Sequence, residues 1–181
     1  MKLNKKKLIH IVGVGGIGMS GIAEILSEMG YQVQGSDIKI NANIIRLNKR
    51  KIKTFSSHKK SNLKNVSLVV YSSAISKNNI ELEHSKKIKI PSISRAEILS
   101  QIVKLKKTIA ISGSHGKTTT TSLISAVLNG ARMKPTVING GIINQFGTNT
   151  KLGSGDWLVV EADESDGTFV KLPASISVVT N

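Results

Sequence analysis

A short glycine loop with a lysine and a threonine at its end is the strongest chemical signal in the sequence. Gly113 to Thr118 reads Gly-Ser-His-Gly-Lys-Thr, follows an apolar run and precedes a segment with helical spacing. Backbone amides in such a loop cradle phosphates, a lysine neutralises β- and γ-phosphate oxygens, and a threonine hydroxyl ligates Mg²⁺. The loop has the order of a P-loop but is two residues shorter than G-x-x-x-x-G-K-[ST]. It predicts a nucleoside triphosphate site.

An acidic cluster further along the chain offers a partner for that site. The apolar run Trp157 to Val160 leads into Glu161, and four carboxylates lie within residues 161–166. Like charges placed together are costly unless cations or hydrogen-bond donors relieve them, so Mg²⁺ bound with a triphosphate is one explanation. A solvated acidic turn is the alternative.

Another glycine loop lies near the start of the chain and is called the first loop, so that Gly113 to Thr118 is the second loop. Gly13 to Gly18 matches G-x-G-x-x-G after an apolar run and before a helical segment, and Asp37 follows about 20 residues later. Glycines let the backbone approach a diphosphate, and the start of the helix supplies free N–H groups. The pattern fits any nucleotide diphosphate, including that of an NAD-dependent oxidoreductase. A tight turn without a ligand also fits it.

The elements that position these loops alternate between strands and helices. Leu8 to Val14 is predicted as a strand, Met19 to Met29 as a helix, and Leu68 to Tyr71 as a later strand. Ser94 and Glu97 form a capping-box pattern at the start of another helix. This alternation predicts an α/β fold with parallel sheets.

The predicted domain boundary falls at the short basic segment 104–107. Residues 1–106 are expected to form a Rossmann-like domain, and residues 107–181 the incomplete first part of a P-loop ATPase domain. The polar segment 41–65 between the first strands carries no motif. His10, His58 and His84 show no metal-ligand spacing.

Composition narrows the class of protein. The chain has no cysteine, which excludes disulfides and thiolate metal sites and fits the cytoplasm. No apolar run reaches the roughly 18 residues of a membrane span. The net charge of +15 arises in residues 1–107, with 21 Lys+Arg and 6 acids, against 5 and 5 in 108–181. Because aromatic residues do not interleave with the lysines, we interpret these as a solvated surface and expect no nucleic-acid partner.

Taken together, the motifs resemble those of the Mur ligase family. The segments that carry this resemblance are 10–21, the Gly35-Ser36-Asp37 turn, Gly113 to Thr121, Asn139-Gly140-Gly141, Glu161 to Phe169 and 177–181. Their order and spacing match across essentially the whole chain. The resemblance implies an ATP- and Mg²⁺-dependent ligase of peptidoglycan precursor synthesis, joining L-alanine to UDP-N-acetylmuramic acid through an acyl phosphate.

The resemblance also implies roles for individual residues. It assigns the second loop to ATP, with Lys117 and Thr118 catalytic and with Thr118 and Glu161 as metal ligands. The residues implied for ATP are Gly113, Ser114, His115, Gly116, Lys117, Thr118 and Thr119. Those implied for the UDP-sugar are Gly15, Gly16, Ile17, Gly18, Ser20, Asp37, Ser72 and Ser73, with Asp163, Glu164, Ser165 and Asp166 at its muramoyl end.

One departure from the family concerns length. The family continues past the Val-Val-Thr-Asn strand with the rest of the ATPase domain and a third domain, so we expect this polypeptide alone not to turn over. The related ligase that recycles a whole tripeptide remains an alternative, as do an NAD-dependent oxidoreductase and a non-catalytic nucleotide-binding protein. The sequence carries no signal for an oligomeric state.

Overall fold

The computed structural model describes residues 3–143, 148–162 and 173–181. These residues form two β-sheets, and one strand of each sheet leads into a glycine loop. The chain divides into two compact units, Met1–Ile98 and Leu99–Asn181. This division lies inside the helix Arg95–Val103, eight residues before the end of the predicted first domain at residue 106.

The first unit contains a fully parallel sheet of five strands in the order β3-β2-β1-β4-β5. The strands are β1 (Leu8–Val12), β2 (Gln32–Ser36), β3 (Lys53–Phe55), β4 (Val66–Tyr71) and β5 (Ser92–Ser94). Val12 lies opposite both Ser36 and Tyr71, so β1, β2 and β4 end at the same edge. From β1 the strand order runs to one side through β2 and β3 and to the other side through β4 and β5. Ligands of open parallel sheets bind at such a switch point, here between β1 and β4.

Helices connect these strands, as parallel pairing requires. They are α1 (Ile17–Glu28), α2 (Ala42–Lys49), α3 (Ile80–Lys87) and α4 (Arg95–Val103), with a 3₁₀ turn at Lys60–Leu63. The predicted capping box is confirmed at α4. Ser94 N donates to Glu97 Oε2 at 2.7 Å, and Glu97 N donates to Ser94 Oγ at 3.3 Å. Apolar residues of β1 and α1, such as Ile11 and Leu26, are fully buried between sheet and helix.

The second unit contains a mixed sheet in the order β10-β6-β9-β7-β8. The strands are β6 (Lys107–Gly113), β7 (Thr136–Ile143), β8 (Thr148–Lys151), β9 (Trp157–Glu161) and β10 (Ile176–Thr180), and α5 (Lys117–Gly130) follows β6. β8 runs antiparallel to β7, which the sequence did not indicate, whereas the other pairs are parallel. Ile109, Ile111, Val137 and Val159 form its core.

The predicted α/β class with parallel sheets is therefore confirmed. The predicted strand at Leu8 to Val14 ends two residues earlier, at Val12, because Gly13 has a φ of +81° and turns the chain. No helix in the described parts of the chain combines the length and apolarity needed to cross a membrane.

Candidate functional site

The first glycine loop is held by the end of the neighbouring strand. Gly13 N and Val14 N both donate to the carbonyl oxygen of Ser36, at 2.8 and 3.1 Å. The chain then turns into α1 at Gly16, whose helix start has no side-chain cap. The first amides of α1 are therefore available to an anion, and the positive end of the helix dipole favours one.

Asp37 and two asparagines fix the middle of this loop. Gly15 N donates to Asp37 Oδ2 at 2.9 Å. Gly15 O accepts from Asn41 Nδ2 at 3.0 Å and from Asn43 Nδ2 at 2.8 Å. Both asparagines belong to the polar segment in which the sequence showed no motif. Their side chains instead help to set the conformation of the loop.

Arg95 is a cation at this loop that sequence reasoning missed. A Cβ atom on Gly18 would lie 2.8 Å from Arg95 Cζ, so the guanidinium packs directly against the first turn of α1. None of the carboxylates that the structure describes forms a salt bridge with it. An arginine at the start of a helix carries no sequence signature, and only the strand order brings β5 and α4 toward this edge.

The residues predicted for the UDP-sugar do not all face the same surface. Gly16 and Ile17 are exposed at the start of α1. Ser72 follows β4, and its N–H donates to Val12 O at 3.3 Å, which places it beside the glycine loop; Ser73 next to it is exposed. Ser20 is fully buried and donates to Ile17 O at 3.0 Å. This hydrogen bond supports the start of the helix, and the assignment of Ser20 to the UDP-sugar stays a prediction.

A buried polar cluster, here called the Glu81 cluster, lies behind the first loop. It comprises His10, Ser36, His58, Asn62 and Glu81, and the side chains of His10, Ser36 and Glu81 are fully buried. Glu81 Oε2 accepts from Ser36 Oγ at 2.6 Å and from His58 Nδ1 at 2.9 Å. Glu81 Oε1 accepts from Asn62 Nδ2 at 2.7 Å and lies 3.4 Å from His10 Nε2.

The electrostatics of this cluster favour an ionised carboxylate. Burial raises the pKa of Glu81, but the hydrogen bond and charge interaction with His10, and the hydrogen bonds from Ser36 and Asn62, outweigh burial and lower the pKa to about 2. The spacing of His10 and His58 along the chain gave no indication of this arrangement. They meet only because β1, the segment after β3, and α3 converge.

The second glycine loop has a different construction. Gly113 ends β6 with a φ of +126°, and a Cβ atom there would collide with the backbone oxygen of Thr180 in β10. Gly116 has a φ of +79° and begins α5, and no atom lies within 4 Å of where its Cβ would be. His115 O accepts from Thr180 Oγ1 at 2.6 Å. The loop is thus tied to β10 on one side and open at Gly116.

Lys117, Thr118 and Glu161 come together at the open side of this loop. Lys117 Nζ donates to Gly113 O, so its ammonium group folds back over the loop. Thr118 Oγ1 lies 3.1 and 3.3 Å from the two carboxylate oxygens of Glu161, which ends the adjacent strand β9. A hydroxyl and a carboxylate oxygen this close are suitable Mg²⁺ ligands. Ser114, His115 and Thr119 are exposed around them.

Some predicted residues cannot be placed. Asp163, Glu164, Ser165 and Asp166 lie outside the described residues. Within the described ranges, no group of three His, Asp or Glu side chains is arranged to hold a metal ion by itself. A cation at Thr118 and Glu161 would therefore need further oxygen ligands, such as phosphate oxygens.

Fold and loops together define an α/β protein in which each unit contains a strand, a glycine loop and a helix in succession. A family model described as the Mur ligase family, catalytic domain, matches residues 8–107. This match covers more than half of the chain, and the chain belongs to the Mur ligase family. The resemblance inferred from the motifs is confirmed.

Individual relatives agree with the family. The chain is 53% identical over 182 residues to the UDP-N-acetylmuramate–L-alanine ligase of Methylorubrum populi, covering all of this chain and 39% of that relative. It is 55% identical over 174 residues to the ligase of the same name from Brucella ovis, covering 96% of this chain and 37% of the relative. The chain thus spans less than half the length of the curated relatives it matches.

Solved structures of the family have the same fold. A crystal structure of the UDP-N-acetylmuramate–alanine ligase of Thermotoga maritima matches with a TM-score of 0.84 and 34% identity, covering 96% of this chain and 41% of that one. The UDP-N-acetylmuramate:L-alanyl-γ-D-glutamyl-meso-diaminopimelate ligase of Neisseria meningitidis matches with a TM-score of 0.84 and 27% identity, covering 96% and 60%.

Proposed function

We propose that the chain carries the sugar-nucleotide and ATP sites of a ligase that joins L-alanine to UDP-N-acetylmuramate in the cytoplasm. The observation that carries this proposal is the approach of Thr118 Oγ1 to within 3.1 Å of the Glu161 carboxylate, next to Lys117 on a glycine loop. Hydride transfer by a dinucleotide-binding oxidoreductase does not require a hydroxyl, a carboxylate and a lysine in that arrangement. The names of the alanine ligases described above support the choice of amino acid.

The second loop fits ATP and Mg²⁺ by the chemistry of its groups. Thr118 and Glu161 offer oxygen ligands to the cation, and the space at Gly116 leaves the loop amides accessible to phosphates. ATP would supply the γ-phosphoryl group that activates the muramoyl carboxylate as an acyl phosphate, with ADP as the leaving group. Attack of the alanine amine on this acyl phosphate would form the amide and release phosphate. Lys117 neutralises negative charge where two anions must meet, and most of the rate enhancement comes from this positioning.

The first loop fits the diphosphate of UDP. The amides of Ile17 and Gly18 in the first turn of α1 would donate to phosphate oxygens, and Arg95 would add a bidentate cation. Asp37 already accepts from Gly15 N and from Lys39 N, so its carboxylate supports the loop.

The tripeptide ligase is a second candidate, because the Neisseria structure has the same TM-score as the Thermotoga one. Both candidates place UDP-N-acetylmuramate on the first loop. Higher identity to the alanine ligases favours the first candidate.

Calorimetric titration of the 181-residue chain with UDP-N-acetylmuramic acid, Mg-ATP and NADH tests the proposal. We expect saturable binding of the first two ligands and none of NADH, with circular dichroism confirming that the chain is folded. Binding of NADH in place of the sugar nucleotide by a folded chain would overturn it.

A further inference from the structure

The Glu81 cluster joins the three chain segments that surround the first glycine loop. His10 lies in β1, three residues before Gly13, and Ser36 ends β2. Glu81 lies in the first turn of α3, directly after the segment that begins at Ser72. One buried carboxylate therefore connects the strand that leads into the loop, the strand end that holds it, and the segment beside it.

Ser36 links the cluster to the loop itself. Its hydroxyl donates to Glu81, whereas its carbonyl oxygen accepts from both Gly13 N and Val14 N. The next residue, Asp37, accepts from Gly15 N. Three consecutive loop amides are thus fixed by two residues, and the side chain of one of these is held by Glu81.

We infer that Glu81 is a positioning residue for the nucleotide diphosphate, holding the first glycine loop in its binding conformation through Ser36 and His10. The inference rests on the proposed function, because it assigns the diphosphate of the UDP-sugar to this loop. Glu81 itself is fully buried and would not touch the ligand. It acts through the backbone of β2 and the side chains that surround it.

The hydrogen-bond pattern explains why a carboxylate is needed there. Gln34 Nε2 donates to Asn62 O at 2.7 Å and lies 3.2 Å from His10 Nδ1, while His10 Nε2 faces Glu81 Oε1 at 3.4 Å. Both Glu81 oxygens then face donors. A glutamine at this position would turn its NH₂ group toward one of those donors, and Ser36 or Asn62 would have to move.

The test compares Glu81→Gln with Glu83→Gln, which removes the same charge from an exposed position on the same helix. Three quantities are measured: the Kd for UDP-N-acetylmuramic acid, the melting temperature, and the amide resonances of Gly13, Val14 and Gly15 without ligand. We expect Glu81→Gln to raise the Kd about tenfold and to shift the three resonances. A tenfold change corresponds to the loss of about one charge-assisted hydrogen bond to phosphate. Glu83→Gln should behave as wild type.

A folded Glu81→Gln chain with unchanged Kd and unchanged resonances would overturn the inference. If that variant does not fold, Ser36→Ala replaces it, because this change removes the hydroxyl link and keeps the carbonyl that holds the loop. The same Kd and resonance changes are expected, and their absence contradicts the inference. If wild type binds no sugar nucleotide, the proposed function fails, and the resonances alone decide whether Glu81 positions the loop.

Discussion

The two glycine loops share one plan of strand, loop and helix, yet the glycines nearest their helices are needed for different reasons. In the first unit, Gly15 and Gly18 are crowded, because Asp37 and Arg95 lie closer than a Cβ atom would tolerate. In the second unit, Gly116 has open space, and its φ of +79° is what favours glycine. The first loop is packed by side chains, whereas the second is left accessible.

The charged groups at the two loops also differ. The first loop offers helix-start amides and one guanidinium from Arg95. The second combines the ammonium of Lys117 with a hydroxyl and a carboxylate, at Thr118 and Glu161, that suit a cation. Amides and a guanidinium hold a diphosphate, but phosphoryl transfer also needs a cation beside the moving group. This difference supports the proposed division of roles, in which the first loop holds the substrate and the second activates it.

Gly113→Ala should produce the largest effect, and only in the second unit. The new Cβ would collide with Thr180 O, and a φ of +126° strains any other residue. We expect a loss of about 4 kcal/mol or more in the stability of the β6–β10 pair, since large values follow from such clashes. Amide hydrogen exchange measures this separately for β6 and β1.

Gly130→Ala is the matched control for that variant. No atom lies within 4 Å of its Cβ position, and it ends α5, so alanine should be neutral or slightly stabilising. Unchanged protection of β6 in Gly113→Ala would show that β10 does not require the glycine.

Lowering the pH should have the next largest effect and should destabilise the first unit more than the second. Because the pKa of Glu81 is lowered from 4.5 to about 2, its ionised form stabilises the first unit above pH 4.5, and this contribution is lost as the pH falls toward 2. The total is roughly 3 kcal/mol. The described part of the second unit has no fully buried carboxylate.

Protection of β1 amides at pH 6, 4 and 3 measures the acid effect. The stability difference between wild type and Glu81→Gln should shrink as the pH falls through this window. A constant difference would mean that Glu81 is not ionised in the folded state, and Glu83→Gln again serves as the control.

Local patterns were predictable from the sequence, whereas contacts set by strand order were not. Both glycine loops and the Ser94–Glu97 capping box depend on neighbours within a few residues, so spacing alone indicates them. Asn43 reaches Gly15 across 28 residues, and Glu81 reaches Ser36 across 45. Asparagine and glutamate are common surface residues, and only the order β3-β2-β1-β4-β5 brings these to one edge. The burial of Ser20 was not predictable for the same reason, since it depends on the packing of α1.

Lys117→Ala should weaken Mg-ATP binding about 100-fold and leave the affinity for UDP-N-acetylmuramic acid unchanged. The weakening corresponds to the loss of about 3 kcal/mol of charge-assisted contacts. Calorimetry with both ligands separates the two loops. Lys104→Ala removes the same charge from an exposed position of the second unit and should change neither affinity. Equal losses for both ligands in Lys117→Ala would break the division of roles between the loops.

Arg95→Ala should have the smallest effect, about a tenfold rise in the Kd for UDP-N-acetylmuramic acid, since an arginine contributes about one charge-assisted contact to a diphosphate that amides already hold. Mg-ATP affinity should stay unchanged. Arg50→Ala is the control, because Arg50 is a half-exposed cation of the same unit that pairs with Glu24 and Glu28.

The variant Arg95→Lys separates charge from shape at the first loop. Lysine keeps the positive charge but loses the planar pair of donors, so binding should recover only in part. Full recovery would mean that Arg95 acts as a point charge. If Arg95→Ala binds UDP-N-acetylmuramic acid as tightly as wild type, the amides of α1 hold the diphosphate by themselves. The first loop would then differ from the second in having no side-chain cation that contributes to ligand binding.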